Sequence, residues 1–372
     1  MEERGCSREE VISFLSGVRA EDVHHDHILS SMCTIPHPIA IAVQEMFSAT
    51  NLGDPGLFPG TMKVEDLLIR SLGDLMHLRS AGGYATSGGT ESNLQAIRIA
   101  KKQREDVKRP NIVVPASAHF SFDKTCDMLG LEMRVVPYGR NYMVDTDKMA
   151  EMVDANTIAV AAVAGTTEYG MVDDVPTIAK IAKEHDCFCH VDAAFGGLVI
   201  PFLERPVPFD FAVAGVDSIS LDPHKMGLST IPCGCLLLRE QEMLGCLNVD
   251  TPYLTVKKQC TLAGTRPGAD VAGAYAVIRH LGREGFRSMV AGCMENTRRL
   301  VAGMEACGFS RVVDPVMNVA AFSAGDVPTG WKVSHTRDNH LRFVLMPHVT
   351  RDVVERFLAD VADGQDEILK RE

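Results

Sequence analysis

Residues 157–164 are apolar without a break after Thr157. A strand with one wet face alternates polar and apolar side chains. An unbroken apolar run of this length reads instead as a strand buried on both faces, the situation of a strand inside a parallel sheet. Six shorter strand candidates stand at 83–86, 111–115, 133–136, 187–191, 218–221 and 233–238. Helical patterns separate them. Residues 90–105 carry Leu94, Ile97 and Ala100 at a spacing near 3.6, and 146–153 and 175–185 read the same way. Alternating strands and helices predict an α/β fold, a mostly parallel seven-stranded sheet with helices on both faces.

The ends of the chain differ. Residues 1–50 are helical and polar, with Pro36 and Pro38 breaking the pattern, and they form an N-terminal arm. A large domain is expected over 51–275. Residues 270–284 predict a long helix. Beyond it, short strands at 311–314, 319–323, 332–336 and 340–345 beside helices at 286–306 and 350–370 predict a smaller α+β domain over 276–372. No internal repeat and no low-complexity segment is present.

Composition excludes some functions. A formal net charge of -12 argues against nucleic acid as a partner, because phosphate backbones need a basic surface. The charged start, Met1-Glu2-Glu3-Arg4, is not a secretory signal, and no apolar run approaches the ~20 residues of a membrane span. Among eleven cysteines none forms a C-x-x-C pair. Cys187/Cys189 and Cys233/Cys235 lie two apart in strand-like runs, so each pair shares a face. They read as core residues of a reduced, cytoplasmic protein. His24-His25-Asp26-His27 invites a metal reading, but adjacent residues do not share a helical face, and a solvated polar stretch explains them as well. No metal is expected.

The chemistry concentrates at strand ends. His190-Val191-Asp192-Ala193-Ala194 closes one apolar run and Leu221-Asp222-Pro223-His224-Lys225 follows another. Open α/β sheets bind ligands at the carboxyl ends of their strands. An amine able to form a Schiff base, with a buried acid to hold a ring nitrogen protonated, is the minimum equipment for pyridoxal phosphate chemistry. Most lysines are solvated charges; one buried at a strand end would lose its charge more readily and become nucleophilic. Ser87-Gly88-Gly89-Thr90-Glu91-Ser92-Asn93 lies between a strand and a helix, where backbone N–H groups and the helix start favour an anion. An ordinary strand-to-helix turn would look the same. It lacks the Gly-Lys-Ser/Thr of a nucleotide-triphosphate loop. His119, at the end of 111–115, could stack on a planar ring or move a proton, or could be a hydrogen-bonded loop residue.

Taken together, these motifs resemble the group II pyridoxal-phosphate-dependent amino-acid decarboxylases, and within them the archaeal L-tyrosine/L-aspartate decarboxylases. The resemblance runs from about Ile35 to Val349. It rests on His37-Pro38, on the stretch from Asn51 to Thr61, on the turn from Ser87 to Asn93 and on Ala118-His119. It continues through Gly165-Thr166-Thr167, the stretch from His190 to Gly197, the stretch from Asp222 to Lys225, Thr251-Pro252-Tyr253, the stretch from Gly264 to Gly268 and Leu341-Arg342-Phe343. It implies a fold-type I pyridoxal-phosphate enzyme and pyridoxal 5'-phosphate as cofactor. It also implies a homodimer with a shared active site, acting on an L-amino acid as its small-molecule substrate.

By matching positions, Lys225 would carry the cofactor, Asp192 pair with its ring nitrogen and His119 stack on its face. Gly88, Gly89 and Thr90 would cradle the phosphate, with Ala194, His224 and Asp222 close by. Asp222 stands where animal relatives often have asparagine, and a carboxylate there would repel a phosphate unless a donor intervened. Tyr253 would protonate the product from a loop reaching the neighbouring subunit, and Arg266 would approach the cofactor across the interface. The products would be tyramine, used for methanofuran, or β-alanine, used for coenzyme A. Two alternatives stand beside this reading. One is another enzyme of the same fold, an aminotransferase or lyase, for which Arg342 is a candidate to bind the substrate carboxylate; since it also belongs to the decarboxylases' Leu-Arg-Phe motif, it does not discriminate. The other is a non-catalytic binding protein.

Overall fold

The computed structural model describes Met1 and residues 3–369. Seven strands form the central sheet: β1 (Gly82–Thr86), β2 (Asn111–Pro115), β3 (Glu132–Val136), β4 (Thr157–Val163), β5 (Phe188–Asp192), β6 (Ser218–Leu221) and β7 (Gly234–Leu238). Their order is β1-β7-β6-β5-β4-β2-β3. Only the pairings of β7 with β1 and β6 are antiparallel. The rest are parallel. All seven of the expected strands are present, with ends shifted by at most a residue or two.

The unbroken apolar run of β4 has the cause expected of it, since both faces of the sheet are covered. Val160 and Ala162 enter one core, with side chains from α3 (Pro59–Leu75), α6 (Thr146–Met152), α7 (Val175–Glu184) and α8 (Gly268–Ala306). Ile158, Ala161 and Val163 enter the other, beneath α4 (Gly89–Gln103) and α5 (Ser121–Leu129). Cys189, Cys233 and Cys235 are buried in the first core and Cys187 packs against it.

The termini correct part of the sequence reading. Pro38 does not break a helix; it begins α2 (Pro38–Phe47), where its fixed φ and missing N–H are tolerated. His37 caps α2 through Nδ1, and α2 packs on α8. α1 (Arg8–Arg19) has a capping box of Ser7 and Glu10 but buries none of its residues. Residues 311–314 are not a strand; only an isolated bridge joins Arg311 to Phe322. The remaining small-domain strands pair antiparallel: β10 (Val319–Phe322), β12 (Leu341–Val344) and β11 (Ser334–His335), in the order β10-β12-β11. Between the two parts, β8 (Val249–Asp250) and β9 (Lys258–Gln259) make a small hairpin.

α8 is one element of 39 residues, turned at Gly282, whose φ of 57° suits glycine. Its first half packs into the large core and Leu300, Val301 and Met304 into the small one, against α9 (Arg351–Leu369). Leu29 of the N-terminal arm lies in that same small core. Its N–H donates to the Lys332 carbonyl, and its own carbonyl accepts from the Val344 N–H.

Candidate active site

Five connections leave the same edge of the sheet, those after β1, β2, β4, β5 and β6. Together they line one cavity of ≈ 270 Å³ that holds Gly88, Gly89, Thr90, His119, Thr167, Asp192, Ala194, Asp222, His224 and Lys225. These residues are spread over more than a hundred positions of sequence. The parallel sheet brings them together because it aligns the carboxyl ends of its strands. A larger hollow of ≈ 990 Å³ lies beside α3 and residues 256–266, and none of the lysine site lines it. The smaller cavity holds the reactive groups.

Lys225 Nζ lies 2.9 Å from Asp222 Oδ2. Burial alone would lower the lysine's pKa, but the carboxylates of Asp222 and Asp192 outweigh it and hold the ammonium charged above its ordinary range. The expectation that burial would neutralise this lysine is therefore corrected: the sequence reading set Asp222 beside the phosphate, and the structure pairs it with the lysine. Asp192 is buried and accepts from Asn93 Nδ2 (2.8 Å), the Ala194 N–H (3.1 Å) and Ser220 Oγ (3.1 Å). His119 Nδ1 accepts from the Ser121 N–H, and burial lowers the ring's pKa, so a neutral imidazole faces the cavity. His224 Nδ1 donates to the Cys233 carbonyl, which fixes its ring beside Gly88.

The turn after β1 is shaped for a close approach. Gly88 sits at φ 147°, a conformation that L side chains rarely adopt. A Cβ on Gly89 would stand 2.9 Å from Ala194 Cβ and 3.2 Å from Asp222 Oδ2. No side chain caps α4 at Gly88. Glu91 instead turns back to accept from the N–H and hydroxyl of Ser87. The N–H groups that begin α4 are thus presented to the cavity without a competing side chain.

Two expected participants lie elsewhere. Arg266 is buried against Glu65, donates to the Ala85 and Leu52 carbonyls and lies over the Tyr84 ring. It lines the larger hollow and not the lysine cavity. Tyr253 is 86% exposed on a loop pinned to its own chain, where Thr255 donates to Asp54 and Gln259 Nε2 to the Gly53 carbonyl. Arg342 donates to the carbonyls of Thr167 and Ser30 and to Ser334 Oγ. These bonds hold Nε and Nη1 of its guanidinium. Arg337 braces the His119 loop through the Ala116 and Ala118 carbonyls, a role no local motif announced. In the histidine-rich stretch, His24, His27 and Arg356 all converge on Asp26.

The sequence profile of the family described as "Pyridoxal-dependent decarboxylase conserved domain" matches residues 24–324. The chain belongs to that family. A protein of Methanocorpusculum labreanum is 79% identical over 97% of this chain and 99% of its own length, and is described as "Probable L-tyrosine/L-aspartate decarboxylase". One of Archaeoglobus fulgidus, "Probable L-aspartate decarboxylase", is 46% identical over 94% of this chain and 98% of its own. Among solved structures, a sphingosine-1-phosphate lyase of Burkholderia pseudomallei superposes with a TM-score of 0.89 at 25% identity, covering 98% of this chain and 92% of that one. Glutamate decarboxylase of Lactobacillus brevis gives 0.89 at 20% identity, covering 99% and 94%, and shares the fold.

The site fits pyridoxal phosphate on its own geometry. It combines a glycine cradle that a Cβ would fill, an uncapped helix start for a phosphate, a lysine and a carboxylate across one cavity, and a neutral ring beside them. Asp222 Oδ1, buried without a hydrogen-bond partner, faces the same cradle.

Proposed function

We propose that this enzyme removes the α-carboxyl group of an L-amino acid, converting L-tyrosine to tyramine, L-aspartate to β-alanine, or both. The observation that carries the reading is the 79% identical relative, which matches along 97% of the chain. The lysine–carboxylate cavity supplies the chemistry that such a reaction needs. Pyridoxal phosphate, when bound, supplies a protonated ring that takes up the electron pair left by departing CO2.

The chain's own groups do the rest. Lys225 would attach the cofactor, and Asp192 would pair with its ring nitrogen and keep it charged. His119 would stack on the ring, and the start of α4 with Gly88, Gly89 and Thr90 would hold the phosphate, beside Ala194 and His224. The products suit two routes, tyramine toward methanofuran and β-alanine toward coenzyme A. Eleven free cysteines, several of them buried, suit a reducing cytoplasm. Among the described residues no helix is long and apolar enough to cross a membrane.

A panel of L-amino acids assayed for CO2 release tests the reading. Release from tyrosine or aspartate is expected, with the matching amine as product. Formation of a keto acid without gas would overturn it.

The active site is proposed to be shared in a homodimer. Leu57, Phe120, Ile231, Tyr253 and Leu262 are large exposed apolar or aromatic side chains, and five apolar residues of α1, from Val11 to Val18, are exposed as well. A second copy would cover such surface. The loop that carries Tyr253 would then serve the partner's cavity. Mixing inactive Lys225→Ala and Tyr253→Phe subunits is expected to restore part of the activity, since one of the two sites in a mixed dimer regains both residues. Mixed dimers as inactive as either parent would refute the shared site.

A further inference from the structure

β5 and β6 are buried strands that nevertheless alternate. His190, Val191 and Asp192 lie in parallel register opposite Ser218, Ile219 and Ser220. Val191 and Ile219 enter the core beneath α7 and α8. The period of two turns His190, Asp192, Ser218 and Ser220 to the other face, toward α4. There they form a chain with Asn93. Ser218 Oγ lies 2.7 Å from His190 Nδ1, His190 Nε2 lies 2.9 Å from Asn93 Oδ1, and Asn93 Nδ2 donates to Asp192 Oδ2 at 2.8 Å. Ser121 Oγ takes the second proton of the Asn93 amide at 3.0 Å. His190, Asn93, Ser121, Ser218 and Ser220 are at most 1% exposed.

The direction of each bond follows from one fact: a carboxylate only accepts. The group of Asn93 that faces Asp192 must therefore be its NH2. Its carbonyl oxygen then faces His190 and needs a donor, so Nε2 of His190 carries the hydrogen. Nδ1 is left bare and accepts from the Ser218 hydroxyl. The ring is neutral, in keeping with the burial that pushes its pKa well down. Phe122 lies against it and keeps water away.

We propose that His190 is a positioning residue that acts through Asn93. By holding the amide of Asn93 in one orientation, it keeps a donor on Asp192 and so keeps the proton on the pyridine nitrogen of the cofactor rather than on the carboxylate. This rests on the reading of Asp192 as the ring's partner. Without His190 nothing anchors the Asn93 carbonyl. An amide turned the other way would set an oxygen against Asp192, and the carboxylate would take up the proton that the ring needs.

The test uses holoenzyme rebuilt with pyridoxal phosphate labelled with 15N in the ring, so that NMR reads ring protonation directly, beside kcat and KM. Wild type should show a protonated ring. His190→Leu should move the resonance toward the unprotonated position and lower kcat by about tenfold, the equivalent of one charge-assisted hydrogen bond, with KM little changed. Ser218→Ala is the smaller change and the variant to use if His190→Leu does not fold; a partial shift in the same direction is expected. His190→Gln, whose amide can still donate to Asn93, should restore the resonance. A wild-type ring that is already unprotonated would overturn the reading of Asp192 itself. A protonated wild-type ring that stays so in Ser218→Ala and His190→Leu would overturn the relay alone, as would a folded His190→Gln no better than His190→Leu.

Discussion

Lys225→Ala is expected to yield a folded protein from which pyridoxal phosphate dialyses away, without the yellow colour of the parent and with nothing for borohydride to fix. Turnover should fall by at least about 10³-fold, within the range that one positioned proton-transfer group contributes. A colour that survives dialysis, or turnover near the parent's, would remove Lys225 from its assigned role.

The geometry adds a second consequence. Lys225 is the cation that offsets Asp222, so its removal strands a buried carboxylate whose Oδ1 already has no partner. Breaking a buried pair from one side costs about 3 kcal/mol or more, so the variant should melt earlier than the apoprotein. Lys225→Ala combined with Asp222→Asn should recover part of that loss. The same pair governs how the apoprotein takes up cofactor. Only the free amine can attack an aldehyde, and Asp222 and Asp192 hold the amine protonated above its ordinary range. Uptake should therefore accelerate as pH rises. Asp222→Asn removes the nearer charge, lowers the lysine's pKa and should shift that acceleration to lower pH. Identical pH profiles in the two proteins would show that the pair does not limit attachment.

Asp192→Asn is expected to keep the cofactor attached and lose about a hundredfold in kcat, on the order of 3 kcal/mol, the usual effect of deleting one charged group from a preorganised site. The loss should appear in kcat more than in cofactor retention, because Lys225 and the glycine cradle are untouched. Stability should fall too. Asp192 accepts from Asn93, the Ala194 N–H and Ser220, and an amide in its place turns one oxygen into a donor facing donors. A buried mismatch of this kind costs roughly 1–3 kcal/mol. Asp192→Glu keeps the charge at the expense of an extra methylene and should recover part of the rate. Turnover by Asp192→Asn equal to wild type would reduce Asp192 to a structural acid.

Much of this site is legible in the sequence. Asp192 and Lys225 each follow an apolar run, and strand ends at one sheet edge must converge, so their meeting required only the fold class. Gly88 and Gly89 were legible as paired glycines between a strand and a helix. Contacts between side chains far apart in the chain are not legible there. Asn93 and His190 are 97 residues apart, and Arg266 and Glu65 are 201 apart. A weak signal for the first existed: polar residues at every second position inside β5 and β6, where a strand covered on both faces has no reason to carry them. No such signal marked Arg266, whose partner stands on a helix missed behind Pro59-Gly60 in the chain. Residues 311–314 failed for the opposite reason. Their apolar pair, Val312 and Val313, packs near Tyr138, Tyr142 and Tyr169, a local cluster that needs no strand to explain it.

The five connections that line the lysine cavity all issue from one edge of the sheet. Residues 51–61 and 247–268 are tied to each other through Asp54 and Thr255 and through Gly53 and Gln259, and to the sheet through Arg266 and the Ala85 carbonyl. The segment that carries Tyr253 is therefore anchored, through Arg266, to the strand that runs into the glycine turn, and the two cannot shift independently.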